Sequence, residues 1–276
     1  MDLFTQIQEA AAFINAQFAD FQPQVAIILG TGLNGFTKDI EIIQELSYSQ
    51  IPHFPVSTVQ SHAGKLIAAR CEGVEILVLA GRFHYYEGYS SQQTTFYVRV
   101  LKQLAIKRLI ITNAVGSVQA HIKNGDLVLI KDHINMQPEN PLRGRNDERL
   151  GVRFPDMVAA YDQQLNAECL AIAQENQIAA HLGVYVATQG PNLETPAEYR
   201  FFNIIGGDVV GMSAVAEVIV ARHSELPVLA ISIISNQCFP IENIEPTTVQ
   251  DVIDTVQNAE PKLSLLVKEV LKRKIY

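Results

Sequence analysis

Little in this chain of 276 residues supports a disulfide scaffold, a metal cluster or a membrane anchor. Its three cysteines, Cys71, Cys169 and Cys238, are odd in number, far apart and without a Cys-x-x-Cys pair. That spacing argues against a disulfide framework and a cysteine-based zinc site, and it fits a reducing, cytoplasmic setting. No apolar run is long enough to cross a bilayer. The first twenty residues lack a basic start and carry Asp2, Glu9 and Asp20, so they do not read as an export signal. Positive charge is scarce: 21 Lys and Arg stand against 29 Asp and Glu, a net charge of −8. Non-specific nucleic-acid binding rests on neutralising phosphates, and this balance argues against it. A small anionic ligand remains compatible, because it needs only a local cluster of donors. Gly-x-Ser-x-Gly, His-Glu-x-x-His and His-rich sets are all missing, which leaves no nucleophile elbow and no zinc-protease centre. With no repeat, low-complexity tract or Pro/Gly-rich linker, a single domain over 1–276 is the simplest organisation.

What is present is apolar material for a large core: 48% hydrophobic residues against 18% charged. Short apolar runs at 25–29, 76–80, 109–112, 127–130, 184–187, 209–211 and 228–234 are rich in β-branched residues and do not alternate, as expected of strands buried on both faces. Helical spacing occupies 3–18, 92–104, 157–177, 196–202, 214–223 and 249–271, with Pro261 expected to kink or split the last. Strands alternating with helices predict an α/β fold: one domain with a mixed, mostly parallel central sheet flanked by helices.

The polar residues that could carry chemistry sit where strands end, which is where open α/β sheets hold ligands. After 76–80 comes Gly81-Arg82-Phe83-His84-Tyr85-Tyr86-Glu87-Gly88-Tyr89, with a cationic fork, a second donor and aromatic walls. After 25–29 comes Gly30-Thr31-Gly32-Leu33-Asn34-Gly35. It has the spacing of a dinucleotide fingerprint but no acidic residue at the end of a second strand, so a plain phosphate loop or a structural turn fits better. His62 stands in a polar loop, with a structural role as the simpler alternative. The small residues at 112–117, Thr-Asn-Ala-Val-Gly-Ser, let a backbone approach a ligand. Thr195, Pro196 and Glu198 form a capping box, which explains Glu198 and leaves Glu194 for ligand work. Ser213 is a natural helix N-cap and, by the same position, an anion donor. Asn236 ends the last apolar strand and can both donate and accept. Neutral donors, one Arg and one isolated carboxylate suit a phosphate and a polar heterocycle, with catalysis by positioning and electrostatics.

In order along the chain, the segments ILGTGLNG, FPVSTVQSHAGKL, LAGRFHYYEGY, ITNAVGS, KDHIN, RNDERLGVRFPDM, GPNLETPAE, GGDVVGMSAVAEV and ISNQC resemble the purine nucleoside phosphorylase family in its trimeric branch. The resemblance implies reversible attack of inorganic phosphate on the anomeric carbon of a purine nucleoside, releasing the base and (deoxy)ribose 1-phosphate in purine salvage. It implies no metal and no organic cofactor, since phosphate is itself a substrate. Carried over residue by residue, phosphate falls to Thr31, His62, Arg82, His84, Ser213 and the Ala114 amide. The sugar falls to Tyr86, Met212 and Phe154 of a neighbouring subunit in a homotrimer. The base falls to Glu194, Asn236, Val210 and Gly211, with Asn236, Glu194 and His84 as the catalytic set. Asn at position 236 goes with 6-oxopurines such as inosine and guanosine, where methylthioadenosine phosphorylases carry Asp. Two positions depart from the pattern: Leu193 replaces an aromatic beside the base, and Val249 stands where a His usually meets the 5′-hydroxyl. A preference for xanthosine or methylthioadenosine is the alternative within the family. Outside it stand a dinucleotide-dependent oxidoreductase, suggested by the glycine loop, and a catalytically silent nucleoside-binding module.

Overall fold

A computed structural model describes residues 1–56 and 63–276. Helix α1 (Leu3–Gln17) opens the chain; the Asp2 carboxylate caps it by accepting from the Thr5 N–H, and its Ile7, Ala10, Ala11 and Ile14 stripe is buried. There follow β1 (Val25–Leu29), β2 (Glu41–Ser47), β3 (Lys65–Cys71), β4 (Val74–Ala80), α2 (Ser91–Thr94), α3 (Phe96–Gln103), β5 (Arg108–Ser117) and β6 (Leu127–Asn135). The second half comprises α4 (Gln163–Glu175), β7 (Ala180–Ala187), α5 (Pro196–Ile204), β8 (Val209–Gly211), α6 (Val215–His223), β9 (Val228–Gln237) and α7 (Val249–Lys272).

The nine strands form one mixed sheet in the order β2-β3-β4-β1-β5-β8-β7-β6-β9. Five of the pairings are parallel and four antiparallel, so the expected parallel majority is a narrow one. Alternation along β1 sorts the core into two layers. Ala26 and Ile28 face a cluster shared with α1, α3 and α6, whereas Val25, Ile27 and Leu29 face one shared with α4 and α7. Both faces are covered, which is why β1 reads as an unbroken apolar run.

β5 is the pivot. Its first half pairs with β1 on one edge, Val25 opposite Arg108 through Ile28 opposite Ile111. Its last two residues pair on that edge with β8 instead, Gly116 opposite Val210 and Ser117 opposite Val209. Along the other edge it runs parallel to β9 from Leu109 to Ser117. β5, β8, β7, β6 and β9 therefore close into a ring, with β2, β3, β4 and β1 extending outward from β5. Between β1 and β8, residues 112–115 of β5 have β9 as their strand partner among the described residues, and a gap opens in the sheet there.

Four expectations change. Strand β2 was not foreseen, because it is an edge strand with exposed Ile42 and Ile43 and no continuous apolar run. The helix expected over 92–104 breaks at Thr95 into α2 and α3. The helix expected from 157 starts at Gln163, where the Asp162 carboxylate accepts from the Leu165 N–H. Helix α7 runs unsplit through Pro261, with buried Val256 and Ala259 before it and Leu263, Leu266 and Val267 after it holding both halves against the sheet. In each case a cap or tertiary packing overrides local pattern.

Candidate active site

At the gap in the sheet lies a cavity of about 390 Å³, lined by the ends of β1, β4, β5, β8 and β9 and by the loops that follow them. Gly30 lets β1 end there: a Cβ at this position would stand 2.7 Å from the Thr112 carbonyl oxygen and 2.8 Å from Asn113 Cα. Only glycine permits that approach, and it brings Thr31 to the cavity wall.

One half of the cavity is built for an oxyanion. Arg82 is 1% exposed, its Nε 3.2 Å from Glu217 Oε1. Burial works against its charge, but Glu217 and the phenols of Tyr97 and Tyr185 hold the guanidinium above its ordinary value. Arg82 Nη1 donates to Ser213 Oγ at 3.1 Å, and Asn113 Nδ2 donates to the same oxygen at 3.3 Å. Ser232 fixes that amide by donating to Asn113 Oδ1 at 2.6 Å from the neighbouring position on β9. With both lone pairs engaged, the Ser213 hydroxyl acts as a donor, with the Tyr185 phenol oxygen also within its reach.

Ser213 reaches this position through an unusual turn. Ala214 has φ 64° and ψ −49°, and the Val215 N–H bonds the Ser213 carbonyl at 2.8 Å. That is a γ-turn of the rare, strained kind, at a non-glycine residue. It makes Ala214 the boundary residue of α6, so Ser213 is not the N-cap expected from its sequence. The side chain is thereby released to the cavity, while its backbone N–H is held by the Tyr185 hydroxyl at 3.2 Å.

His84 is 6% exposed and stacks on Tyr86 with ring centroids 4.6 Å apart. Glu87 receives both its backbone N–H at 2.7 Å and its Nδ1 at 3.0 Å. Burial lowers the His84 pKa despite that carboxylate, so the ring is neutral near pH 7 with its proton on Nδ1, facing Glu87.

The other half carries the groups suited to a heterocycle. Capping is as anticipated: Thr195 exchanges hydrogen bonds with Glu198, and Pro196 opens α5. Glu194, just before the cap, accepts from the Thr188 hydroxyl at 2.8 Å. Across from it, Asn236 Oδ1 lies 2.8 Å from the Ser235 hydroxyl, and its Nδ2 donates to Cys238 Sγ at 3.1 Å. The remaining N–H of that amide is available to a ligand. Tyr199 stands between the two sides: burial first, then Cys238 and Glu194, push its phenol upward, and burial pushes the Cys238 thiol up to about 12. Both stay protonated and can act as donors. Between the halves, Met212 and Tyr86 crowd Gly190, where a Cβ would meet the Met212 sulfur at 2.4 Å and the Tyr86 ring at 3.2 Å.

Eleven of the residues singled out in the sequence line this one cavity: Thr31, Arg82, His84, Tyr86, Ala114, Glu194, Val210, Gly211, Met212, Ser213 and Asn236. Leu193 and Val249, the two departures, line it as well, and Val252 adds a second apolar side chain from α7. Phe154 does not reach it; the side chain is 85% exposed, with the Arg153 guanidinium 5.5 Å from its ring. His62 lies outside the described residues. Asn113 and Ser235 lie inside the named segments 112–117 and ISNQC without a role assigned to them, and Tyr199 directly follows the capping residue Glu198. Glu217 and Tyr97 gave no signal, because only the packing of α3 against α6 brings them to Arg82. Among the described residues no cluster of side chains could hold a metal ion, and no helix is long and apolar enough to cross a membrane.

Residues 24–272 match the family model of the phosphorylase superfamily. The chain is 47% identical over 268 residues to purine nucleoside phosphorylase 1 of Geobacillus stearothermophilus, covering 97% of each. It is 42% identical over 264 residues to the purine nucleoside phosphorylase of Mus musculus, covering 92% of this chain and 91% of that one. Among solved structures it is similar to isoform 2 of purine nucleoside phosphorylase from Schistosoma mansoni in complex with cytosine and ribose-1-phosphate, with a TM-score of 0.92 at 38% identity, covering 98% and 96% of the two chains.

Proposed function

The chain belongs to the purine nucleoside phosphorylases of the phosphorylase superfamily, and from that premise we propose that it cleaves 6-oxopurine nucleosides with inorganic phosphate. Inosine, guanosine and their deoxy forms give hypoxanthine or guanine and the pentose 1-phosphate, reversibly, in cytoplasmic purine salvage. The observation that carries this reading is the shared cavity: oxyanion donors at one end, Glu194 and Asn236 at the other, and Tyr86 with Met212 between. Phosphate is a substrate, and no cofactor is needed.

Phosphate sits against Thr31, Arg82, Ser213 and the Ala114 amide. His84, its Nδ1 proton committed to Glu87, accepts a hydrogen bond from a phosphate hydroxyl through Nε2. Tyr86 and Met212 hold the sugar. Glu194 accepts from N1–H of the base, and Val210 and Gly211 form the wall beside it. As the glycosidic bond stretches, positive charge grows on the anomeric carbon above the phosphate and negative charge on the purine. Asn236 donates to N7 as that charge develops, a gain made mainly in the transition state and worth about 3 kcal/mol for one well-placed donor. The exposed Phe154 ring enters a neighbour's sugar site, so the working form is a homotrimer of single-domain chains spanning 1–276.

A second reading, preference for xanthosine or methylthioadenosine, draws support from the apolar side chains of Val249 and Val252. A phosphate-dependent ultraviolet assay on inosine, guanosine, xanthosine, adenosine and methylthioadenosine separates the two. Fastest turnover of methylthioadenosine or xanthosine would overturn the 6-oxopurine assignment to inosine and guanosine, and turnover independent of phosphate would overturn both readings.

A further inference from the structure

We propose that Tyr97 and Glu217 are positioning residues for phosphate: together they hold the Arg82 guanidinium in the orientation that meets an oxyanion. The inference rests on the phosphate role of Arg82 and extends it to two side chains that do not line the cavity.

All three residues are buried, at 1% exposure for Arg82, 1% for Tyr97 and 4% for Glu217. A guanidinium is a flat fork whose edges are fixed relative to one another, so holding one edge aims the others. Glu217 Oε1 stands 3.2 Å from Nε as an ion pair rather than a hydrogen bond, and with that edge of the fork held by charge Nη1 donates to Ser213 Oγ at 3.1 Å, the hydroxyl at the cavity wall. The carboxylate is itself pinned, because the Tyr97 phenol donates to the same Oε1. Tyr97 stands in the first turn of α3 and Glu217 in the first turn of α6, so a contact between two helices sets the angle of the cation. An acidic residue in a helix's first turn also complements the dipole, but a side chain serving only that purpose does not require burial against an Arg.

Two effects of Glu217 oppose each other. Its negative charge repels a phosphate anion at Arg82, and its geometry aligns the fork. If charge dominated, removing it would tighten phosphate binding; if alignment dominates, removal loosens it. The arrangement favours alignment, because the charge is spent locally on Nε while Nη1 is turned toward Ser213 at the cavity wall.

The test is steady-state kinetics on the full chain, with inosine and inorganic phosphate varied separately, for wild type, Tyr97→Phe and Glu217→Gln, alongside thermal melts. Losing a hydrogen bond to a charged group predicts a rise in phosphate KM of roughly tenfold for Tyr97→Phe and more for Glu217→Gln, with inosine KM within about twofold of wild type. Tyr97→Phe removes one hydroxyl and is the milder change; should it fail to fold, Glu217→Gln carries the same comparison. Unchanged or tighter phosphate binding in a folded variant, an equal rise in both KM values, or failure of both variants to fold would make the pair a core brace and overturn the proposal. A wild-type enzyme whose turnover ignored phosphate would instead overturn the function on which it rests.

Discussion

The Ser235 hydroxyl stands 2.8 Å from Oδ1 of Asn236, which fixes the amide with its oxygen bound by the protein and one of its two N–H groups given to Cys238 Sγ. Specificity follows from that orientation. Asn236→Asp replaces the outward donor with an acceptor and places a carboxylate beside the Ser235 hydroxyl. Turnover of inosine should fall by about 10²–10³, the scale of losing one transition-state donor, while the ratio of adenosine to inosine activity rises. Comparing kcat/KM for the two nucleosides checks this, and an unchanged ratio would remove Asn236 from base recognition.

Arg82→Ala should raise the KM for phosphate by two orders of magnitude or more, because the one guanidinium lining the cavity among the described residues disappears and Glu217 is left buried without its cation. Truncating one partner of a buried pair also costs stability, about 3–5 kcal/mol, so a lower melting temperature accompanies the kinetic loss. Phosphate dependence equal to that of wild type would contradict the assignment.

Gly30→Ala tests the geometry of the sheet gap. Its new methyl would meet backbone atoms of Thr112 and Asn113 at 2.7 and 2.8 Å, and backbone cannot yield as a flexible side chain does. A loss of about 1–3 kcal/mol of stability and a rise in phosphate KM are expected together, since the same shift moves Thr31 and Asn113. Denaturant unfolding reads the first and kinetics the second.

Stability should fall with acid through His84 and His133. Burial lowers the pKa of both below the ordinary 6.5. Above that value the rings are neutral in the folded and unfolded chain alike, so they make no difference. As pH drops below it, the unfolded chain takes up protons that the folded one resists, and the balance shifts toward unfolding. A melt at pH 5.5 should lie several degrees below one at pH 7.5, and His133→Gln should shrink the difference. Equal melting temperatures would show that neither ring is held neutral.

How much of this was legible in the sequence depends on where the information lay. β1 and β8 match their apolar runs residue for residue, because burial on both faces leaves a continuous signature. β5 was readable only over its first half; its second half, Asn113 to Ser117, is built mostly of small residues, and Asn113 to Gly116 line the cavity. The candidate site residues were legible where they stand two positions past such runs, as Thr31, Arg82 and Asn236 do. Ser213 lines the cavity, but not as the helix cap that its sequence suggests. Its sequence reads as a helix cap, and nothing local announces the γ-turn at Ala214. Glu217 lies in the first turn of α6 and Tyr97 in the first turn of α3, and no sequence feature gave either a role. Their meaning is tertiary.

The double pairing of β5 bears on redesign. Residues 113–115 are paired in register with β9, the register shifts by one between Val115 and Gly116 to set Gly116 opposite Asn236, and the same strand is anchored to β1 below them and to β8 at its end. A slip of one position would turn every side chain of this stretch to the opposite face. Altered substrate scope is therefore more accessible from the rim. Leu193 and Val249 border the cavity, are 48% and 74% exposed, and lie outside every strand. Libraries confined to those two positions would sample new nucleosides without disturbing the scaffold, whereas diversity placed at 113–116 would be lost to misfolded chains.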